Sequence, residues 1–259
     1  DFAVFDEAHR TSVQNANTDS LFSYALYDKN IVIKKRLFMT ATRRLSNFSK
    51  RNKLGDSEQI ISMDNRTLYG QVGKKSISFS EAANKIKCIA KLKVITSEVF
   101  SDDVELKKLT KSSTHVAGHK FKSEYIALQL AIARAVKKYN IDKVFSFHNT
   151  ITRAKQFTDH RDSLGLRKFL DDSFYLNHIK GSDSMASRKR ILKNFDQSEK
   201  ALISNARCLI EGVNVPSVNM VVFADNKSSG IDVVQAAGRA LRNRHDKSKE
   251  FGYVLVPLF

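Results

Sequence analysis

The chain opens on a short apolar run, Phe2-Ala3-Val4-Phe5, that stops at two adjacent carboxylates, Asp6 and Glu7, followed by Ala8 and His9. A run this short and this rich in Phe and Val fits a buried parallel strand. In an open α/β sheet, ligands gather beyond the carboxyl ends of such strands. Asp6 and Glu7 therefore stand where chemistry is usually done. The chain turns at this point, so both carboxylates can reach one cleft although neighbouring strand residues point to opposite faces. One can then hold a hydrated Mg²⁺ while the other orients or deprotonates a water, the division of work that phosphoryl transfer requires.

Further along, the patterns repeat this plan. A helix-like segment over 19–27 places Leu21, Phe22, Ala25 and Leu26 on one side. Lys35 to Thr40 reads as a strand that ends in Thr40-Ala41-Thr42, two hydroxyls able to carry hydrogen bonds from a metal-site carboxylate to a neighbouring domain. Arg43, Arg44, Lys50, Arg51 and Lys53 form a basic cluster that either touches phosphates or is a solvated face. Phe79 to Ala83 suggests a helix start, and Leu92 to Thr96 a strand closing a first domain. Gly70 to Ser76 imitates a phosphate loop, but that loop needs G-x-x-x-x-G-K-S/T, and position 68 is Leu. No such loop is expected in the chain.

From residue 121 the alternation becomes regular. The spacing of Tyr125, Leu128, Ile132 and Val136 predicts an amphipathic helix from Glu124 to Tyr139. Lys143–Phe147 reads as a strand, His148 and Asn149 follow its end, and a helix is expected from Ile151 to Leu164. Strands follow at Phe174–His178, Ala201–Ser204, Met220–Ala224 and Phe251–Phe259. Between the first two of these, Arg188, Lys189, Arg190 and Lys193 sit beside Ile191, Leu192 and Phe195 on a helix. Those bases either neutralise a nucleic-acid backbone or face solvent. In Gln235-Ala-Ala-Gly238-Arg239-Ala-Leu-Arg242 the polar residues share one helical face, and Gly238 is read as permitting a close approach. Two guanidiniums on one stripe suit a developing phosphate charge.

Taken together, Asp6-Glu7-Ala8-His9, Thr40-Ala41-Thr42, Ser204-Asn205-Ala206-Arg207-Cys208-Leu209-Ile210-Glu211-Gly212-Val213-Asn214-Val215-Pro216 and Q-x-x-G-R-x-x-R resemble motifs II, III, V and VI of superfamily-two DEAD/DEAH-box helicases, in the family's order. His148 and Asn149 are similar to motif IV, with a plain strand–helix junction capped by Asn as the other reading. The wording of the motif V stretch resembles restriction-type and defence helicases. The resemblance implies an α/β protein of two RecA-like parallel-sheet lobes, the first N-terminally truncated and without its Walker A element. Lobe 1 would cover 1–100, a linker 101–122, and the second lobe 123–259.

It further implies an ATP-dependent helicase or translocase on nucleic acid, DNA favoured over RNA. A non-catalytic nucleic-acid-binding module and an RNA helicase are the alternatives, and this chain is expected to be inactive alone. ATP and Mg²⁺ would be the cofactors. By resemblance Asp6 holds Mg²⁺ through water, Glu7 activates water, and Arg239 with Arg242 stabilises the transferred phosphoryl. Gln235, Gly212, Asn214 and His9 would line the nucleotide. The family usually has Asp where this chain has Asn214, which can bond a ribose hydroxyl without charge. Thr40, Thr42, His148, Asn149, Ser204 and Asn205 would serve nucleic acid. Restriction or defence subunits, or fused domains, are the candidate partners.

Composition agrees with a polyanionic partner. The net charge is +17, from 44 Lys and Arg against 27 Asp and Glu. Two cysteines, Cys88 and Cys208, in no CxxC arrangement exclude a disulfide framework and a cysteine zinc site, so a reducing, cytoplasmic setting is expected. No apolar run approaches the roughly 20 residues of a membrane span.

Overall fold

The computed structural model describes residues 1–12, 21–40, 43–45, 61–73, 77–98, 123–159, 165–206, 215–225, 230–243 and 249–258. It divides into two compact units, Asp1–Ser76 and Ile77–Phe259. The expected linker at 101–122 and the basic residues Lys50, Arg51 and Lys53 lie outside the described residues.

In the first unit, β1 (Phe2–Phe5) and β2 (Lys35–Phe38) pair in parallel, with Phe2 opposite Lys35 and Phe5 opposite Phe38. The Phe5 and Phe38 rings stack 4.8 Å apart, and Tyr69 meets Phe38 edge-on at 4.9 Å. Tyr69 ends α1 (Arg66–Tyr69), whose first turn is capped by the Asn65 side chain, accepting from the Thr67 and Leu68 amides. Tight 3₁₀ turns occupy Ala8–Thr11 and Leu21–Leu26.

The second unit is a six-stranded, wholly parallel sheet. Its strands are β3 (Lys91–Glu98), β4 (Lys143–Phe147), β5 (Phe174–Ile179), β6 (Lys200–Asn205), β7 (Met220–Phe223) and β8 (Phe251–Leu258), in the order β3-β8-β7-β4-β6-β5. Alternate residues of each central strand enter opposite cores: Val144, Leu202, Met220 and Val222 on one face, Phe145, Ile203, Val221 and Phe223 on the other. Helices α2 (Ser123–Tyr139) and α3 (Ile151–Thr158) cover the first face, through residues such as Ile132 and Phe157. Helices α4 (Met185–Gln197) and α5 (Gly230–Leu241) cover the second, through Ile191, Phe195, Ala236 and Ala240. Sheets covered on both faces are the usual home of all-parallel strands.

Three expectations need correction. The strand at 91–98 does not close the first unit: it is the edge strand of the second sheet, in register with β8 from Lys91↔Phe251 to Glu98↔Leu258. Ile95 packs into the same core as α2, and the Lys91 amide donates to the Glu250 carbonyl at 2.9 Å. Apolar patterning identifies a strand but not the sheet that receives it. The helix after β4 ends at Thr158 rather than Leu164, because Asp159 is extended (φ −70°, ψ 115°). Finally, α2 is wider in its burial than an amphipathic stripe, since Ile126 through Ile132 are all buried. That stretch is apolar all round except for Gln129, the signature of an enclosed helix.

Candidate functional site

The first group of predicted residues is built where β1 and β2 end together. The Met39 amide donates to the Phe5 carbonyl and the Ala8 amide to the Met39 carbonyl, both at 2.9 Å, so the two strand ends leave the sheet side by side. Between them the chain turns sharply at Glu7, which adopts the left-handed region (φ 48°, ψ 43°). The Asp6 carboxylate accepts from the Glu7 amide at 2.9 Å, a local bond that supports this unusual backbone. Asp6 is exposed and Glu7 half-buried.

His9 is 4% exposed, and its position explains the turn. Its Nδ1 lies 3.3 Å from Glu7 Oε2 and 3.1 Å from Thr40 Oγ1. Below it, Thr11 Oγ1 donates to the Ala8 carbonyl at 2.7 Å and meets the Tyr69 hydroxyl at 2.9 Å. Burial pushes the Tyr69 hydroxyl above the ordinary tyrosine range, against the lowering effect of Thr11. The Glu7 carboxylate and the Thr40 hydroxyl of the second strand thus meet at one nitrogen of the buried histidine. Thr42 lies outside the described residues.

Among the described residues, no group of three or more His, Cys, Asp or Glu could enclose a metal ion. One exposed carboxylate, Asp6, fits a different demand. Mg²⁺ dehydrates reluctantly and is commonly held by one or two carboxylates, waters and substrate phosphates.

The second group gathers at the carboxyl edge of the six-stranded sheet, across the adjacent strands β6, β4 and β7. The His148 amide donates to the Asn205 carbonyl at 2.8 Å, and the Ala224 amide to the Phe147 carbonyl at 3.0 Å. His148 is 2% exposed, with Nε2 3.1 Å from Ser146 Oγ and its ring 4.7 Å from Phe157. Ser204 and Asn205 have no exposed surface. The Ser204 hydroxyl donates to the Ala154 carbonyl and meets Thr158 Oγ1 at 3.0 Å, while Asn205 Nδ2 donates to the Ser146 carbonyl at 3.0 Å. These three side chains join the ends of β4, β6 and α3 to one another. Asn149, by contrast, is exposed, and its amide donates to Asp225 Oδ2 at 2.7 Å.

Asp225 was not marked by the sequence. It follows β7, pairs with the Arg153 guanidinium, and so draws the first turn of α3 to the end of β7. Thr150 caps that helix by accepting from the Arg153 amide at 3.2 Å. Gly212 and Asn214 lie outside the described residues.

The third group is α5 and its continuation. Gln235 is half-buried, Arg239 is 6% exposed, and Arg242 follows the last helical residue. Gly238 does not serve a close packing contact within its unit: a Cβ there would meet no heavy atom within 4 Å. Gly252 in β8, by contrast, is tightly packed: a Cβ there would run into the Ala240 main chain of α5, 2.7 Å from its carbonyl carbon.

Comparison with known proteins agrees with this architecture. Residues 126–244 match the model of the helicase conserved C-terminal domain. A "probable helicase" of African swine fever virus (a Kenyan pig isolate) is 25% identical over 256 residues, which are 95% of this chain and 25% of the viral protein. Its counterpart from a tick isolate of the same virus is 26% identical over 221 residues, 82% of this chain and 21% of that one. The chain thus spans about a quarter of the length of the curated relatives it matches. Among solved structures, the ATP-dependent Type ISP restriction-modification enzyme LlaBIII bound to DNA superposes with a TM-score of 0.77 at 23% identity, over 99% of this chain and 18% of that one. The helicase MrfA bound to DNA and AMPPNP superposes with a TM-score of 0.56 at 13% identity, over 99% of this chain and 30% of that one. At such identities the superpositions speak to the fold. Residues 126–244 are thus similar to the helicase conserved C-terminal domain, and the parallel sheet that includes them, covered by helices on both faces, has a RecA-like α/β fold.

Proposed function

We propose that the protein carrying this chain is an ATP-driven helicase or translocase that acts on DNA. The observation that carries this reading is the meeting of Glu7 and Thr40 at His9 Nδ1, a carboxylate at a strand end tied to the neighbouring strand. A structural acidic turn needs no such connection. A site that passes the outcome of hydrolysis to another part of the molecule does.

In this reading Asp6 holds hydrated Mg²⁺, which when bound neutralises charge on the nucleotide phosphates. Glu7 orients the attacking water and accepts its proton. His9, buried, holds the Glu7 carboxylate and the Thr40 hydroxyl together at its Nδ1 and so couples the position of one to the other. Arg242, with Arg239, stabilises charge developing on the transferred phosphoryl, and Gln235 orients the nucleotide from the same helix. Asn149 meets the strand backbone from the carboxyl edge of the sheet, and the buried His148, Ser204 and Asn205 fix the backbone of that edge. The excess of cationic residues supports a polyanionic partner. The DNA present with both fold relatives supports DNA over RNA.

The test is ATP turnover of the whole protein with single-stranded DNA, duplex DNA or RNA. Stimulation by DNA of at least about tenfold over RNA is expected; nucleic-acid binding without any turnover would overturn the proposal.

A further inference from the structure

Lys249 lies just ahead of β8, and its half-buried ammonium reaches three carbonyls: Arg242 at 3.1 Å, Pro216 at 3.5 Å and Val218. An ammonium has three protons, so each carbonyl can receive one. Its own amide donates to Asn243 Oδ1 at 3.2 Å. The Arg242 carbonyl is one of the groups a helix C-terminus leaves without an intrahelical partner, and a cation there also faces the negative end of the helix. Pro216 and Val218 belong to the segment that leads into β7. One side chain therefore binds the end of α5 to a segment about 25 residues earlier.

A second anchor holds the same backbone. The Ala90 amide donates to the Leu241 carbonyl at 2.8 Å, and Ile89 forms an antiparallel bridge with Arg242. The main chain that carries the Arg242 side chain is thereby fixed from two directions. We infer that Lys249 is a positioning residue for Arg242, setting the origin from which its guanidinium reaches the transferred phosphoryl. The inference rests on the role proposed for Arg242 above. Its physical basis is that a displacement of about 1 Å at a reacting centre can cost on the order of 100-fold in rate.

The structure also supplies a control. Lys143, 3% exposed, directs its ammonium to the carbonyls of Phe195, Asp196 and Ser198 at the end of α4. It is the same kind of clamp on a helix that carries no proposed catalytic group.

The experiment compares Lys249→Met, Lys249→Arg, Lys143→Met and Arg242→Ala in the whole protein. It reads kcat, KM for ATP and the unfolding midpoint. Lys249→Met is expected to lower kcat by about 10- to 100-fold with KM for ATP changed less than about threefold. Lys249→Arg should recover most of that loss. Lys143→Met should lower the unfolding midpoint by a comparable amount while kcat per folded molecule stays within about twofold. In the Arg242→Ala background, Lys249→Met should add no further loss. Unchanged turnover in Lys249→Met beside a large loss in Arg242→Ala overturns the clamp alone. Equal kcat losses from the two lysine variants also overturn it, as a general stability effect. Normal turnover in Arg242→Ala overturns the role of Arg242, and the inference with it.

Discussion

His9 Nδ1 stands 3.1 Å from Thr40 Oγ1, so a histidine behind the first strand and a threonine at the end of the second share one hydrogen bond. Glu7 Oε2 lies 3.3 Å from the same nitrogen, so the carboxylate and the hydroxyl meet at one imidazole atom and the three side chains form one linked set. Members of one set do not contribute independently. His9→Ala and Thr40→Ala should each lower DNA-stimulated ATP turnover by about tenfold, the equivalent of one hydrogen bond to a charged group. The double substitution should lose little more than either alone. Strictly multiplied losses would mean that the pair does not work as a unit.

Removing the charge at Glu7 tests the water-activating role. In the whole protein, Glu7→Gln should bind ATP with near-normal affinity and turn over essentially none, as judged by nucleotide binding beside phosphate release. Retained turnover would remove Glu7 from the chemistry. Arg242→Ala should reduce kcat by about 10³-fold on the scale known for arginine fingers. A loss confined to DNA affinity would instead make Arg242 a backbone contact.

Gly252 makes a stability prediction free of catalysis. An added methyl group would press on the main chain of Ala240, which cannot rotate away as a side chain could. Gly252→Ala should therefore lower the opening free energy of β8 amides, measured by native-state hydrogen exchange, by about 1–3 kcal/mol. Gly238→Ala, with open space around it, should not change amide protection in β8 by this route.

His178, on the edge strand β5, gives a pH dependence. Burial is the main cause holding its imidazole below the ordinary value of 6.5; Lys155 and Lys180 push the same way, while Asp183 and Asp159 oppose them. A lowered value means that the unfolded chain takes up this proton first as pH falls. Stability should therefore decline as pH drops below about 6.5, until the folded protein protonates as well. His178→Gln should flatten the difference in unfolding midpoint between pH 7.5 and about 5.5. An unchanged slope would assign the acid sensitivity to other groups.

Much of the second unit was legible in the chain itself, because its strands announce themselves as short apolar runs. The expected strand at Lys143–Phe147 coincides with β4, and those at Phe174, Ala201, Met220 and Phe251 fall within a residue or two of β5 to β8. The sheet assignment of β3 was not legible, since its partner β8 lies some 160 residues downstream. Adjacent motif letters singled out Asp6, Glu7 and Arg242 as candidates, but the contact of His9 with Thr40 joins residues 31 apart. Asp225 and Lys249 had no signal at all. An aspartate after a strand and a lysine before one are ordinary residues until the fold brings carbonyls, an amide and a guanidinium to them.

The two lysine clamps sit where β4 and β8 begin, whereas Asn149, Asn205 and Asp225 sit where β4, β6 and β7 finish. The lobe therefore has one margin fastened by ammonium groups and, opposite it, the margin where the proposed strand contact Asn149 lies. A designer seeking a new strand preference could vary the loops of the Asn149 margin while the opposite one keeps the framework closed.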